Sequence, residues 1–352
     1  MANNVLKKGT NRSSFWGFLN EYLHVFSTLI PNSAVIFGSG FNNNGIKNIY
    51  DCCRNNHIHT FVLEDKNDEN NTYGVRGVLK CPNDEPDEGK WRASLRKHIS
   101  NKYHVLLNIS DRWNDVVNRR GACDTSGNDM LLGRFDDNSI LSLKLPCKMR
   151  YRPGKIDVSN NNRNIIFRVV ESNNVNDIVN KLQGYLELFS ANVKNPAVSF
   201  DIDGTLLTVK KGYNENNYAR KQVCNLSIIR LYRICNKNGI KVVIITARPD
   251  IVINERKNIS NRDLTISSLK ECGITKYDEL HLCPMSRWNN SGQWKTDTRA
   301  NLAKKHNILL NIGDQWTDMS ARRSSTRPDD RFVLGQFNDN SLLSIKLPSE
   351  FD

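Results

Sequence analysis

The stretch Asp201-Ile202-Asp203-Gly204-Thr205-Leu206-Leu207 sets two carboxylates one residue apart. It comes directly after an apolar run, Ala197-Val198-Ser199-Phe200. Side chains i and i+2 of an extended segment point to the same side, so Asp201 and Asp203 can serve one site. Two acids that close repel unless a cation or a shared proton offsets them. Further polar groups follow in chain order: Thr246 after the run Lys241–Ile245, Lys295 after Trp294, and Asp314 and Asp318 after the run Ile308–Ile312. The chemistry that suits this set is phosphoryl transfer. Asp201 would attack phosphorus and form an aspartyl-phosphate. Asp203 would protonate the leaving oxygen and then deprotonate the incoming water. Thr246 would hydrogen-bond a phosphoryl oxygen, and Gly204, in the turn, is grouped with it as a phosphate-binding position. Lys295 would neutralise charge on the phosphoryl group and the nucleophile. Asp314 and Asp318, with Asp201, would hold a hard, oxygen-loving cation, most simply Mg²⁺; Asp203 is included in the candidate metal set. A bare Asp-x-Asp is often a solvated turn, so the weight lies in the ordered set.

The elements that must position these residues read as alternating strands and helices. Strands are expected at 197–200, 241–245, 279–283 and 308–312, with helices before and between them, over Asn176–Asn192, around Leu226–Ile234, over Leu264–Cys272 and from Trp294 to His306. That alternation implies a mostly parallel sheet flanked by helices. In such open sheets ligands collect outside the carboxyl ends of the strands, where every one of these polar groups falls. Leu182, Tyr185, Leu186 and Phe189 recur at helical spacing and read as core.

The chain also repeats itself. Leu19, Tyr22, Leu23, Phe26, Ser27, Asn32, Ala34, Val35 and Phe37 lie over Leu182, Tyr185, Leu186, Phe189, Ser190, Asn195, Ala197, Val198 and Phe200 at a constant offset of 163. Leu106–Asp115 lies over Leu309–Asp318 at an offset of 203, and Lys144-Leu145-Pro146 over Lys346-Leu347-Pro348. The fold expected is therefore two tandem Rossmann-like α/β domains: residues 1–150, a linker at 151–164 and residues 165–352. The first copy is shorter in its middle by the difference of the offsets. In it, Gly38 and Gly40 stand where Asp201 and Asp203 stand, and Glu64 follows the strand His57–Leu63 where Thr246 is expected. Arg92 replaces Lys295, while Asp111 and Asp115 remain. With no nucleophile this half should be inactive. Asp111 and Asp115 read either as turn and cap residues or as a vestigial metal site. Gly38-Ser39-Gly40 could cradle an anion with its N–H groups, though a lone Gly-Ser-Gly says little.

Length and composition bound the rest. The 352 residues are 38% hydrophobic and 25% charged, which fits about two ordinary soluble domains. No apolar run approaches the roughly 20 residues of a membrane span. Met1-Ala2-Asn3-Asn4 lacks the charged-then-apolar layout of a signal peptide. The nine cysteines are odd in number with no zinc-like spacing, so reduced thiols and an intracellular, cytoplasmic location are expected. The net charge of +13 admits nucleic acid or an acidic protein as partner, or reflects a Lys- and Asn-rich codon bias.

Taken together, DIDGTLL, Thr246-Ala247-Arg248-Pro249, Lys295, Gly313-Asp314-Gln315-Trp316-Thr317-Asp318 and the closing Lys346-Leu347-Pro348 resemble the haloacid-dehalogenase-like (HAD) phosphatases, and within them the class B acid phosphatase-like branch. The resemblance covers roughly residues 175–350. It implies a Mg²⁺-dependent phosphatase with Asp201 as nucleophile, Asp203 as acid/base, Asp314 and Asp318 on the metal, and Arg248 helping to bind substrate. No large cap domain fits between Leu207 and Lys241. A phosphomonoesterase in the C-terminal half, with a non-catalytic N-terminal copy as lid, pseudo-dimer partner or binding module, is the leading expectation. A nucleic-acid end phosphatase is a narrower form of it. A structural or scaffold protein using the fold, for instance within a virus particle, is the reading from another class.

Overall fold

A computed structural model describes residues 3–4, 12–38, 44–64, 77–84, 88–110, 131–133, 139–145, 157–158, 167–172, 175–209, 222–254, 259–319, 332–336 and 340–348. Asp111, Asp115, Ser39 and Gly40, which the sequence singled out, lie outside the described residues. The chain divides into two compact units, Met1–Ile165 with Asn192–Lys194, and Ile166–Ala191 with Asn195–Asp352. The two-residue pairing of Asn3–Asn4 with Asp157–Val158 falls partly in the stretch expected to be linker.

The first unit contains α1 (Arg12–Leu29), β1 (Ser33–Phe37), α2 (Asn44–Asn55), β2 (His59–Glu64), β3 (Gly77–Lys80), α3 (Glu88–Lys102), β4 (His104–Ser110), β5 (Leu131–Gly133) and β6 (Leu141–Lys144). Its six strands stand in the order β3-β2-β1-β4-β6-β5. Only the β5–β6 pair is antiparallel. The continuous burial of β1 and of Val105–Ser110 in β4 is what a parallel sheet covered on both faces requires.

The second unit contains β7 (Phe167–Ser172), α4 (Val175–Asn192), β8 (Pro196–Phe200), β9 (Leu207–Val209), β10 (Gln222–Cys224), α5 (Leu226–Lys237), β11 (Lys241–Asp250), β12 (Val252–Asn254), β13 (Ile259–Ser260), α6 (Asn261–Glu271), β14 (Glu279–Pro284), a 3₁₀ turn (Met285–Asn290), α7 (Ser291–Leu302), β15 (Asn307–Gly313), α8 (Trp316–Met319), β16 (Phe332–Gln336) and β17 (Leu343–Lys346). Seven strands form the main sheet, β14-β11-β8-β15-β17-β16-β7. The first five are parallel, and at one edge β16 pairs antiparallel with both β17 and β7. β9 and β10 form a separate hairpin. From β8 the chain builds outward through β11 to β14, then returns to the other side of β8 with β15. The order therefore reverses between β8 and β15, which opens a crevice at their carboxyl ends.

Local chemistry explains the elements. α4 buries Ile178, Val179, Leu182, Tyr185, Leu186 and Phe189, one face at helical spacing. Tyr185 Oη donates to the Leu309 carbonyl at 2.7 Å, which locks that helix onto β15. Asn225 caps α5 through a bond from Ile228 N, and Ser260 with Asp263 forms a capping box on α6. The edge strand β7 was not foreseen. Its partner β16 lies more than 150 residues onward, and a six-residue segment carries no local signal of so distant a pairing.

The two units share local detail as well as strand order. Tyr22 Oη donates to Leu106 O at 2.7 Å, matching Tyr185 and Leu309. Asn32 and Asn195 both have positive φ, 51° and 45°. Parallel register slips after Ala34 in one sheet and after Ala197 in the other. Gly38 N donates to Ile109 O at 2.7 Å, as Asp201 N does to Ile312 O at 2.9 Å.

One sequence expectation is corrected. Cys224 and Cys272 form a disulfide, so the thiols are not all reduced. The two cysteines are 48 residues apart and meet only because the β9–β10 hairpin lies beside the end of α6, which spacing cannot reveal. Cys52, Cys53, Cys81, Cys235 and Cys283 are not in disulfides. No described helix is long and apolar enough to cross a membrane.

Candidate active site

The crevice between β8 and β15 gathers the acids. Asp201 follows β8, its N–H continuing the ladder to Ile312. Asp314 follows β15, and Asp318 lies in the single-turn helix α8. One carboxylate oxygen from each of Asp201, Asp314 and Asp318 lies within 4.8 Å of the others, and all three residues are buried. Lys295, on α7, reaches in between. Its Nζ donates to Asp201 Oδ1 at 2.8 Å and to Asp318 Oδ1 at 2.5 Å. Residues nearly a hundred positions apart are thus joined by one ammonium.

Burial sets the electrostatics. It pushes the Asp201 carboxyl well above its ordinary range, against the opposing pull of Lys295, and the neighbouring acids add to the rise. Asp314 is pushed up to about 7, first by burial and then by Asp318. Burial alone would lower the Lys295 ammonium, but the charges of Asp201 and Asp318 outweigh it and hold the proton on. One ammonium among three carboxylates leaves net negative charge in a dry place. An all-oxygen donor set with that charge fits a hard divalent cation.

Close approach explains two glycines. Gly204 has φ +75°, and a Cβ there would overlap the Asp314 carboxylate. A Cβ at Gly313 would overlap the Asp318 side chain. Gly204 gives its N–H to Leu207 O at 2.7 Å, so its part is to make the turn and admit Asp314, where sequence had grouped it with phosphate binding. Asn311 supports the cluster from below: its Nδ2 donates to Asp318 O at 2.9 Å, and its Oδ1 accepts from Ser199 Oγ at 2.5 Å. Gln315 N donates to Asp318 Oδ2 at 3.0 Å.

Asp203 is placed differently. Its carboxylate takes a two-point contact from Arg248, Nε to Oδ2 at 2.8 Å and Nη2 to Oδ1 at 2.6 Å. Gln222 Nε2 also donates to Oδ1, at 2.9 Å. The sequence reading had set Asp203 in the metal group; here its side chain is engaged by Arg248 and Gln222, outside the three-carboxylate cluster. Thr246 is buried, and its Oγ1 accepts from Arg248 N at 3.2 Å. It lies within β11, which continues to Asp250 with a register irregularity against β14 between Thr246 and Pro249. Gln222, Thr265 and Asn311 were missed by sequence reasoning. Gln222 gave no signal. Asn311 gave one, since Asn108 matches it in the repeat.

Geometry and comparison agree on the class. Residues 165–335 match the family model described as HAD superfamily, subfamily IIIB (acid phosphatase), and this segment is a HAD-superfamily domain of the class B acid phosphatase type. Over 161 residues, the chain is 31% identical to Vegetative storage protein 1 of Arabidopsis thaliana, covering 40% of this chain and 56% of that protein. The match thus spans just over half of that relative's length. Among solved structures, one described as a universal stress protein of Pseudomonas aeruginosa UCBPP-PA14 aligns over 92% of this chain and 95% of that one, at 10% identity and a TM-score of 0.25. The protein PA1789 of Pseudomonas aeruginosa PAO1, functionally unknown, aligns over the same shares, at 10% identity and a TM-score of 0.24. Scores that low carry no argument.

Proposed function

We propose that the C-terminal unit is a Mg²⁺-dependent phosphomonoesterase working through an aspartyl-phosphate on Asp201. The observation that carries this reading is the buried cluster of Asp201, Asp314 and Asp318 around Lys295, with Asp203 held just outside it by Arg248. Asp201, Asp314 and Asp318 would hold the cation, which supplies charge stabilisation for the phosphoryl oxygens. Lys295 orients Asp201 and opposes the burial that favours its protonated form, and can share charge with an arriving phosphoryl oxygen. Asp201 attacks phosphorus; Asp203, one residue beyond the nucleophile's neighbour, protonates the leaving oxygen and later takes a proton from water. Water attack on phosphorus then releases inorganic phosphate and restores Asp201.

The N-terminal unit reads as a non-catalytic copy of the same fold, the product of a tandem duplication. The shared strand order, the matched Tyr22 and Tyr185 bonds and the equivalent backbone bonds of Gly38 and Asp201 support it. Gly38 offers no nucleophile. The +13 charge suits a polyanionic substrate or an acidic partner, and a nucleic-acid end phosphatase is the narrower form of the reading.

The test is hydrolysis of a generic aryl phosphate with Mg²⁺ by the full chain, lost in Asp201→Asn. Turnover that survives this substitution would sink the nucleophile assignment. A non-enzymatic role, in the direction of the storage protein among its relatives, predicts instead no Mg²⁺-dependent thermal shift with beryllium fluoride as phosphate mimic.

A further inference from the structure

One contact at the site comes from an element that the phosphatase reading does not use. β9 and β10 pair Leu207 with Cys224, Thr208 with Val223 and Val209 with Gln222. Gln222 Nε2 donates to Asp203 Oδ1 at 2.9 Å, and Gln222 Oε1 accepts from Arg248 Nη2 at 3.1 Å. The same Nη2 donates to Asp203 Oδ1 at 2.6 Å. Carboxylate, guanidinium and amide close a ring of three. The amide has its donor on the acid and its acceptor on the base, the one orientation that satisfies both partners.

Gln222 needs help to stay there. It is exposed, and a hairpin of three residues a side is too short to hold itself in water. Two residues along, Cys224 is bonded to Cys272, the C-cap of α6. The same helix carries Thr265, whose Oγ1 accepts from Arg248 Nη1 at 3.4 Å. The cross-link thus joins the strand bearing Gln222 to the helix that touches Arg248, and fixes both sides of the ring. In the first unit residues 38–43 separate β1 from α2, a shorter connection than the 201–225 stretch that carries this hairpin.

We propose that Gln222 is a positioning residue for Asp203, and that the Cys224–Cys272 disulfide holds it in place, so that a dithiol weakens proton donation to the leaving group. This rests on the phosphatase reading. A dithiol would supply two electrons and two protons, cleave the S–S bond to two thiols and itself close to a cyclic disulfide.

The experiment compares kcat/KM, which reports the steps through departure of the leaving group, for a simple alkyl phosphate and for 2,4-dinitrophenyl phosphate. The first needs a proton on its leaving oxygen and the second does not. Gln222→Ala should lower kcat/KM about tenfold or more on the alkyl ester and about threefold or less on the dinitrophenyl ester. Dithiothreitol on the wild type, and the Cys224→Ser/Cys272→Ser double variant, should give the same split. Amide hydrogen exchange in 207–209 and 222–224 should quicken on reduction while β8 stays protected. Equal slowing on both esters would mean a merely structural role and overturn the proposal. So would an unchanged split and unchanged exchange after reduction. A wild type inactive on both esters would instead refute the phosphatase reading itself.

Discussion

Replacing Lys295 by Met keeps most of the side-chain volume and removes one charge. The ammonium it removes lies 2.8 Å from Asp201 and 2.5 Å from Asp318, and all three side chains are less than a tenth exposed. Deleting one partner of a buried charged network costs about 3–5 kcal/mol, because the charges left behind are uncompensated. For a domain of this size each kcal/mol moves Tm by about 2–4 °C, so the metal-free variant should melt on the order of 10 °C lower. Two features make the effect specific to the cluster. Carboxylates freed of Lys295 take up protons more readily, so the deficit should shrink as pH falls from 8 to 5. A divalent cation replaces the lost positive charge, so saturating Mg²⁺ should raise Tm more in Lys295→Met than in the wild type. The assay is differential scanning calorimetry of the full chain with EDTA or with Mg²⁺, following the transition that responds to metal. If Lys295→Met melts within a degree or two of the wild type in EDTA, and Mg²⁺ shifts both alike, the electrostatic account of the cluster is wrong.

Three further outcomes follow from the same geometry. Gly204→Ala places a Cβ against the Asp314 carboxylate at a φ of +75°, so it should destabilise the protein by more than about 1 kcal/mol, read as a lower urea midpoint, and weaken Mg²⁺ binding measured by calorimetry. Asn311→Leu removes the bonds to Ser199 and Asp318 O; leaving buried partners unmatched should cost about 1–3 kcal/mol in denaturant unfolding. With Asp314 near 7 instead of 3.8, the metal-free folded state binds more protons than the unfolded chain between those values. Its stability should therefore fall as pH rises from about 4 to 7, by several kcal/mol at most, and Mg²⁺ binding at pH 6 should release protons, seen as buffer-dependent heats.

Much of this site was legible in the sequence because each of its charged groups ends a strand or opens a helix. A buried parallel strand is a continuous apolar run, and Ala197–Phe200, Val242–Ile245 and Ile308–Ile312 all lie in strands of the main sheet. The positions of Asp201 and Asp314 then follow from where two of those runs stop, and that of Lys295 from the helix expected from Trp294. What was not legible depends on contacts between segments that carry no periodic signal. Gln222 opens a three-residue strand, Gln222–Cys224, and nothing local says that it faces Asp203. The Cys224–Cys272 bond needs both the hairpin and the end of α6 in place. β7 is six residues long and pairs across more than half of the second unit. Asp203 was expected to share one site with Asp201 because residues i and i+2 share a side in a strand. The chain turns directly after β8, with Gly204 at positive φ, so that rule stops applying between Asp201 and Asp203, and the second carboxylate swings to Arg248.

The first unit shows the same strand end with a glycine in place of the carboxylate. Gly38 makes the same backbone bond to the neighbouring strand as Asp201 does, so the ladder does not depend on the carboxylate. What changes is electrostatic. In the second unit Lys295 is buried because Asp201 and Asp318 offset its charge; in the first, Arg92 holds the matching position, is itself buried, and gives an Nη1 bond to Leu63 O at 3.2 Å. A guanidinium with five donors can turn part of its hydrogen bonding to backbone carbonyls, which an ammonium aimed at two carboxylates does not need to do. Restoring Asp alone at position 38 would therefore set a carboxylate beside an arginine already engaged with Leu63, and the nucleophile's position without its partner's geometry should not restore turnover.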